Sequence, residues 1–169
     1  MESPNTPSGL GGWLVLPILG LLVAPFALGA LLLTTYGPIF DSGGWDVLTT
    51  PGSEYYHPLW APLLIFEIAG NFGLLVFSII LLVFFFQKNA AAPKAMIAFL
   101  IINFLFVTID LIAADFIPMV SESTEDDAME GVVRAGISAL IWIPYFLRSK
   151  RVKNTFIHRM VRSSQSSER

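Results

Sequence analysis

Four long apolar blocks dominate the sequence and restrict its fold more than any other feature. They occupy residues 13–35, 61–86, 95–118 and 128–147. The hydrocarbon core of a bilayer is about 30 Å thick, and a helix needs about 20 residues to cross it. Each block reaches that length, although the fourth is purely apolar only after Arg134. Because lipid offers no hydrogen-bond partners, a spanning segment must satisfy its own backbone groups. We therefore predict an all-α membrane protein, a bundle of four transmembrane helices.

The composition agrees with this class and excludes several kinds of site. The 169 residues are 54% hydrophobic and 14% charged, whereas soluble domains carry about 25% charged residues. There is no cysteine, which excludes disulfides, thiol nucleophiles and cysteine metal sites. The sequence contains no nucleotide-binding loop, nucleophile elbow, zinc motif or haem motif. We expect no cofactor, and an enzyme is the least favoured class of function.

The basic and acidic residues are segregated, which predicts the orientation. Lys88 and Lys94 flank the link between the second and third blocks, and most other basic residues follow the fourth block. The connections 36–60 and 119–127 contain acids and no Lys or Arg. Cytoplasmic loops carry an excess of basic residues. We therefore predict that both termini lie in the cytoplasm and that the two acidic connections face the periplasm.

Three stretches of the sequence resemble one known family. They are "GGWLVLPILGLLVAPF", "TTPGSEYYHPLWAPLLIFEIAGN" and "IWIPYFLRSKRVKNTF". Together they are similar to the domain-of-unknown-function 2569 family, small four-helix inner-membrane proteins of Gram-negative bacteria, over residues 10–158. The resemblance implies the same topology and a bacterial inner membrane. It implies no reaction, substrate or cofactor.

Ionisable residues inside the blocks are the candidate functional groups, because each costs at least about 2.5–3.5 kcal/mol at a helix centre. We expect a three-acid, one-base cluster in the periplasmic half of the bundle, in which Arg134 bridges carboxylates through its forked guanidinium. Two asparagines would extend it inward. An interhelical clamp and a binding or proton-handling site both remain open. The cluster comprises Glu67, Asn71, Asn103, Asp110, Asp115 and Arg134.

The connection 36–60 is too long for a minimal hairpin, and its turn-forming stretches "GPIF", "SGG" and "TPGS" predict either a folded cap on the mouth of the bundle or an interfacial loop with aromatic anchors. Its aromatic rings suit the outer headgroup level. His57 has no second histidine on its side of the membrane, so we expect no metal site there. The predicted anchors are Trp45, Tyr55, Tyr56, His57 and Trp60.

The tail after the fourth block predicts an amphipathic helix lying on anionic lipid at the cytoplasmic face. Val152 and Phe156 would form its apolar side. The same charges explain the topology, so we expect no nucleic-acid partner. The predicted lipid-facing basic anchor consists of Arg148, Lys150, Arg151, Lys153, Arg159 and Arg162.

These features predict a single membrane domain over residues 1–162 and a disordered tail over 163–169. The favoured function is a non-enzymatic accessory or interaction protein for a membrane or envelope complex. The alternative is a small transporter or ligand-binding membrane protein that uses the polar cluster. Besides the lipid bilayer, a membrane-protein partner or a homo-oligomer is expected.

Overall fold

The computed structural model describes residues 8–121 and 125–156. The predicted anchor residues Arg159 and Arg162 and the predicted tail 163–169 lie outside these residues. Within the described ranges the elements are helical, without a β-strand. In chain order they are a 3-10 turn Gly12–Leu14, α1 Val15–Leu31, a π-helical turn Leu32–Tyr36, α2 Gly37–Asp41, α3 Gly44–Thr49, α4 Trp60–Phe86, α5 Ala92–Asp115, α6 Pro118–Ser121, α7 Glu125–Arg148 and α8 Lys150–Thr155.

Four of these helical segments are long and apolar enough to cross a membrane. They are Gly12–Asp41, Trp60–Phe86, Ala92–Asp115 and Ala128–Arg148, with 30, 27, 24 and 21 residues. The prediction of four spanning helices is confirmed by length and composition. The first segment is continuous from α1 through the π-helical turn into α2.

The first span ends later, and the third span earlier, than the sequence predicted, and a proline lies at each of these two ends. The first span continues beyond Thr35, because "GPIF" is helical rather than a turn. Pro38 lies where the π-helical turn passes into α2, and its fixed φ suits a helical backbone. The third span ends at Asp115 rather than Pro118, because the residue before a proline is disfavoured in the helical conformation.

Helices that follow one another in the chain pack side by side: α1 on α4, α4 on α5, and α5 on α7. This arrangement gives the molecule two distinct ends. We call the end that holds the start of α1, the α4–α5 connection and α8 the basic end. We call the opposite end, which holds α2, α3 and the last turn of α5, the acidic end.

The main hydrophobic core lies at the basic end, where all four spanning helices contribute. Leu14, Leu81, Ala92 and Phe146 are almost fully buried there. Phe85 is at the centre, with its ring edge-on to those of Phe146 and Phe156, at centroid distances of 6.0 and 5.1 Å. Edge-to-face pairs at this spacing add to the energy of burial.

A tight connection joins α4 to α5 at the basic end. Asn89 N–H donates to the Phe84 carbonyl and Lys88 N–H to the Phe85 carbonyl, the two bonds of a Schellman cap. Lys88 adopts a φ of 50°, in the left-handed region that favours glycine. Asn89 Oδ1 then accepts from Ala91 N–H at 2.9 Å. These caps explain how five residues can reverse the chain.

α8 packs into the bundle, which differs from the predicted lipid contact of its apolar side. Val152 and Phe156 are 1% and 5% exposed and belong to the core of the basic end. Ser149 ends α7 in an extended conformation, and its Oγ accepts from Val152 N–H. This turn directs the apolar side of α8 toward the protein rather than toward lipid.

The N-terminal segment before α1 forms the other side of this contact. Thr155 Oγ1 donates to the Gly9 carbonyl at 3.2 Å, and Arg151 Nη1 donates to the Ser8 carbonyl at 3.4 Å. A Cβ on Gly12, whose φ is +63°, would lie 3.2 Å from Arg151 Cζ. Glycine thus supplies both the backbone conformation and the space. The first and last stretches of the family resemblance meet here.

Candidate functional site

The π-helical turn in the first span positions a buried tyrosine at the polar cluster. Tyr36 ends this turn and is 7% exposed, although it lies near the acidic end of the bundle. The turn contacts α4. Single π-helical turns in long helices often occur at functional sites. Sequence reasoning did not single out Tyr36, because a helical register is not visible in an evenly apolar block.

Two residues of α4, one helical turn apart, meet this tyrosine. Asn71 is 7% exposed, and its Nδ2 donates to the Glu67 carbonyl at 2.9 Å and to Tyr36 Oη at 3.4 Å. The Glu67 carboxylate lies within interaction distance of the Tyr36 hydroxyl. The tyrosine, the asparagine and the glutamate therefore form one polar group between the first span and α4.

Asp110 adds a third helix, α5, to this polar group. Its carboxylate interacts with that of Glu67 across the α4–α5 interface. Asp110 Oδ1 is enclosed by protein atoms and accepts no hydrogen bond from the described residues. Next to this pair, α4 and α5 pack closely, with Gly70 of α4 directly against the Phe106 ring of α5.

Arg134 does not join these carboxylates, in contrast to the expected three-acid, one-base cluster. It pairs with Glu130, one turn earlier on α7, and the two side chains are 75% and 65% exposed. The i, i+4 spacing explains why Arg134 pairs with Glu130, because residues four apart on a helix are adjacent without any tertiary contact. The structure therefore brings Glu67, Asn71 and Asp110 together and leaves Arg134 outside.

Two other predicted members of the cluster lie apart from it. Asp115 is the last residue of α5 and is exposed at the acidic end. Asn103 is half-buried on α5, about two turns from Asp110 toward the basic end. We call the four residues that do meet, Tyr36, Glu67, Asn71 and Asp110, the polar site.

The polar site can exchange a proton or hold a small cation. Two carboxylates in contact can share one proton or bind a cation between them, and hydroxyl and amide oxygens are further ligands for hard cations. Within the described residues no group of three or more His, Cys, Asp or Glu side chains is arranged to hold a metal ion. The site therefore offers two carboxylates, rather than the larger ligand set of a dedicated metal centre.

An apolar groove lies beside the polar site between the start of α4 and the end of α5. Its cavity volume is about 370 Å³. The lining is carbon-rich and presents no charged side chain, so it can accommodate hydrocarbon but contributes no chemistry. The groove is lined by Leu59, Pro62, Leu63, Phe66, Ile109, Ile112, Ala113 and Phe116.

The predicted aromatic anchors take different positions around the acidic end. Trp45 of α3 is half-buried and stacks on Phe40 at a centroid distance of 5.5 Å. Tyr55 and Tyr56 are exposed by 47% and 37%. His57 Nδ1 accepts from the Leu59 N–H at 3.3 Å, which orients the ring toward the start of α4. Trp60 begins α4, and its Nε1 is enclosed without a hydrogen-bond partner among the described residues.

The described basic residues of the predicted anchor divide into two groups. Arg148, Lys150 and Lys153 are exposed at the basic end. Arg151 is half-buried against the segment before α1. Contact of the exposed three with anionic lipid stays a prediction.

Comparison with known proteins agrees with this architecture. A model of the DUF2569 family, proteins of unknown function, matches residues 7–157. The chain is similar to "Inner membrane protein YdgK" of Escherichia coli strain K12, with 33% identity over 160 residues, 91% of this chain and 97% of that protein. No solved structure matches.

The four spanning helices and these similarities define an integral, multi-pass membrane protein. The chain belongs to the DUF2569 family.

Proposed function

We propose that this chain is a non-enzymatic accessory protein that binds another protein of the inner membrane or envelope. In this proposal both termini lie in the cytoplasm and the acidic end faces the periplasm. The observation that carries the proposal is a folded, aromatic-rich cap at the acidic end. We define the cap as residues 37–59, which include α2 and α3. The helix α2 is the last part of the 30-residue first segment, which is longer than the about 20 residues that a crossing needs.

The cap has the chemistry of a protein-binding surface. Phe40 stacks on Trp45 yet keeps 54% of its surface exposed, and Tyr55 and Tyr56 are also exposed. Aromatic residues are enriched in protein interfaces. A cap sunk into hydrocarbon would have to bury carboxylates, which is costly. The exposed acids of the cap are Asp41, Asp46 and Glu54.

The sign of the charge restricts the partner. The sequence has no Lys or Arg before Lys88, so this part of the chain supplies no base to offset the carboxylates of the cap. A partner with a basic patch beside an apolar one would complement both features, because complementary charge speeds encounter and rejects wrong partners.

A photo-crosslinking amino acid at Tyr55 or Tyr56 tests the accessory role in intact cells. We expect an adduct with one reproducible protein from these positions, and loss of that adduct with the triple variant D41N/D46N/E54Q. The matched control carries the crosslinker at Phe86, which is 59% exposed at the basic end. No protein adduct from the cap, or the same adduct from Phe86, would contradict the proposal.

The polar site supports a second candidate, a small transporter or ligand-binding membrane protein. The specific observation concerns the described residues: Glu67 and Asp110 interact directly, with no basic side chain of that part of the chain between them, and the Oδ1 atom of Asp110 is enclosed without a hydrogen-bond partner there. A structural clamp would satisfy that oxygen, since buried polar groups in folded proteins almost always have partners.

Asp110→Asn and Glu67→Gln separate the second candidate from a clamp. A bound cation stabilises the folded state by mass action. We expect Na⁺, K⁺ or Mg²⁺ to raise the unfolding temperature of the purified wild-type protein and not that of D110N. A clamp predicts instead that both variants unfold at lower temperature and that no cation has a differential effect.

A further inference from the structure

The outer face of α7 carries an ion pair at a depth where a bilayer offers no solvent for it. α7 packs on α5 through its other face, where Ala135 is 9% exposed. Glu130 and Arg134 point away from this contact, since their side chains are 65% and 75% exposed.

The packing of α7 on α5 gives the depth of this pair. A Cβ on Gly136 would lie 3.2 Å from the Phe104 ring, so these residues are level. Phe104 lies near the middle of α5, Ala92–Asp115. At about 1.5 Å per residue, Arg134 and Glu130 lie roughly 3 and 9 Å from that level. Both fall within the half-thickness of about 15 Å of a hydrocarbon core.

Ionisable side chains at such depths almost always face protein or water rather than acyl chains. The outer face of α7 also has the spacing of a helix-packing seam. Val133, Ile137 and Leu140 are exposed by 51%, 53% and 76%, and Pro144 is exposed as well. These positions recur at intervals of four, three and four residues, the pattern by which parallel helices pack.

The ion pair is complementary to a copy of itself. In a two-fold dimer whose axis runs along the membrane normal, the two α7 helices are parallel, and each residue contact occurs twice. A helical arginine side chain points back toward the N-terminus of its helix, here toward the level of Glu130. Its forked guanidinium can bind two carboxylates, its own Glu130 and that of a second copy.

We propose that the outer face of α7 is the contact surface of a two-fold symmetric dimer. In this dimer Glu130 and Arg134 of the two copies form one closed, electrically neutral network, and Val133, Ile137, Leu140 and Pro144 pack below it. A second copy is the occupant because it presents both charges at the matching depth.

The absence of cysteine from the sequence makes thiol crosslinking a clean test. We expect Ile137→Cys to form a disulfide-linked dimer in oxidised membranes at a yield at least fivefold above that of Phe72→Cys. Phe72 is a matched control: it is 59% exposed on α4, and neighbouring Gly70 lies beside Phe106 of α5, near the same depth. Equal yields from the two positions would overturn the proposal.

Charge reversal then tests the network itself. In the I137C background, E130R and R134E each place like charges on both copies, and we expect each to reduce the yield at least fivefold. Co-expression of a tagged E130R copy with an R134E copy should restore crosslinking between them. A yield unchanged by either reversal, or no recovery in the mixture, would overturn the proposal. If a reversal variant fails to accumulate, R134Q tests the network without introducing a new charge, and a yield equal to that of I137C alone would overturn the proposal.

Discussion

Gly70 illustrates how one residue determines the distance between two helices. A Cβ at this position would lie 2.0 Å from Cε2 of Phe106, far inside van der Waals contact. The Phe106 ring in turn packs on Phe66 at a centroid distance of 5.0 Å. Small residues allow such close approach between membrane helices. The contact lies next to Glu67 and Asp110, so it also positions the polar site.

We predict that Gly70→Ala lowers the free energy of unfolding by about 1–3 kcal/mol, because the added methyl group overpacks the α4–α5 interface. Gly73→Ala on the same helix is the control, since a Cβ there meets nothing within 4 Å. Unfolding in mixed detergent micelles gives the comparison. Equal stability of the two variants would show that the Phe106 ring moves without cost.

Lys88 has a backbone conformation that glycine adopts more readily. Its φ of 50° follows from the cap that ends α4. We expect Lys88→Gly to raise the free energy of unfolding by about 1 kcal/mol, because glycine removes the steric cost of the left-handed region. Lys88→Ala removes the same charge and keeps a Cβ, so it should give no gain. The same micelle unfolding assay decides between them.

At the scale of elements, α8 connects the C-terminal part of the described chain to its N-terminal part. It inserts Val152 and Phe156 into the core of the basic end and hydrogen-bonds to the segment before α1. A short helix of six residues has little stability of its own. Its conformation therefore depends on this burial.

We predict that Phe156→Ala releases α8, because truncating a buried phenylalanine costs about 3–5 kcal/mol. The measurement is the rate at which trypsin cleaves after Lys150, Arg151 and Lys153 in the purified protein, and we expect it to rise more than tenfold. Gln87→Ala is the control, because Gln87 is exposed at the same end. If cleavage stays slow, then α8 is held by its hydrogen bonds rather than by the aromatic contact.

At the scale of the whole molecule, the charges are distributed between two ends. The described basic residues at the basic end contrast with the carboxylates of the cap. Because positive charge anchors membrane proteins on the cytoplasmic side, this distribution predicts that the basic end lies in the cytoplasm and the cap in the periplasm.

We expect a membrane-impermeant thiol reagent to label Tyr55→Cys in intact spheroplasts and Lys150→Cys only after lysis. Both residues are exposed on the protein surface, so a difference in labelling would report the side of the membrane on which each residue lies. Labelling of Lys150→Cys before lysis would reverse the proposed orientation, while the helices and their contacts would stay as described.

The sequence by itself determined the four spanning helices. Their length and hydrophobicity are local properties that lipid requires of any crossing segment. It also indicated that Glu67 and Asn71 share one side of α4, because residues four apart always do.

The tertiary structure decided which groups meet. It brought Tyr36 and Asp110 to Glu67, left Arg134 with Glu130, and turned Phe156 inward. A helix in water shows its buried face by an apolar stripe, but a membrane helix is apolar toward lipid and protein alike. The rotation of each helix therefore leaves little trace in hydropathy, and packing contacts such as that of Gly70 with Phe106 determine it.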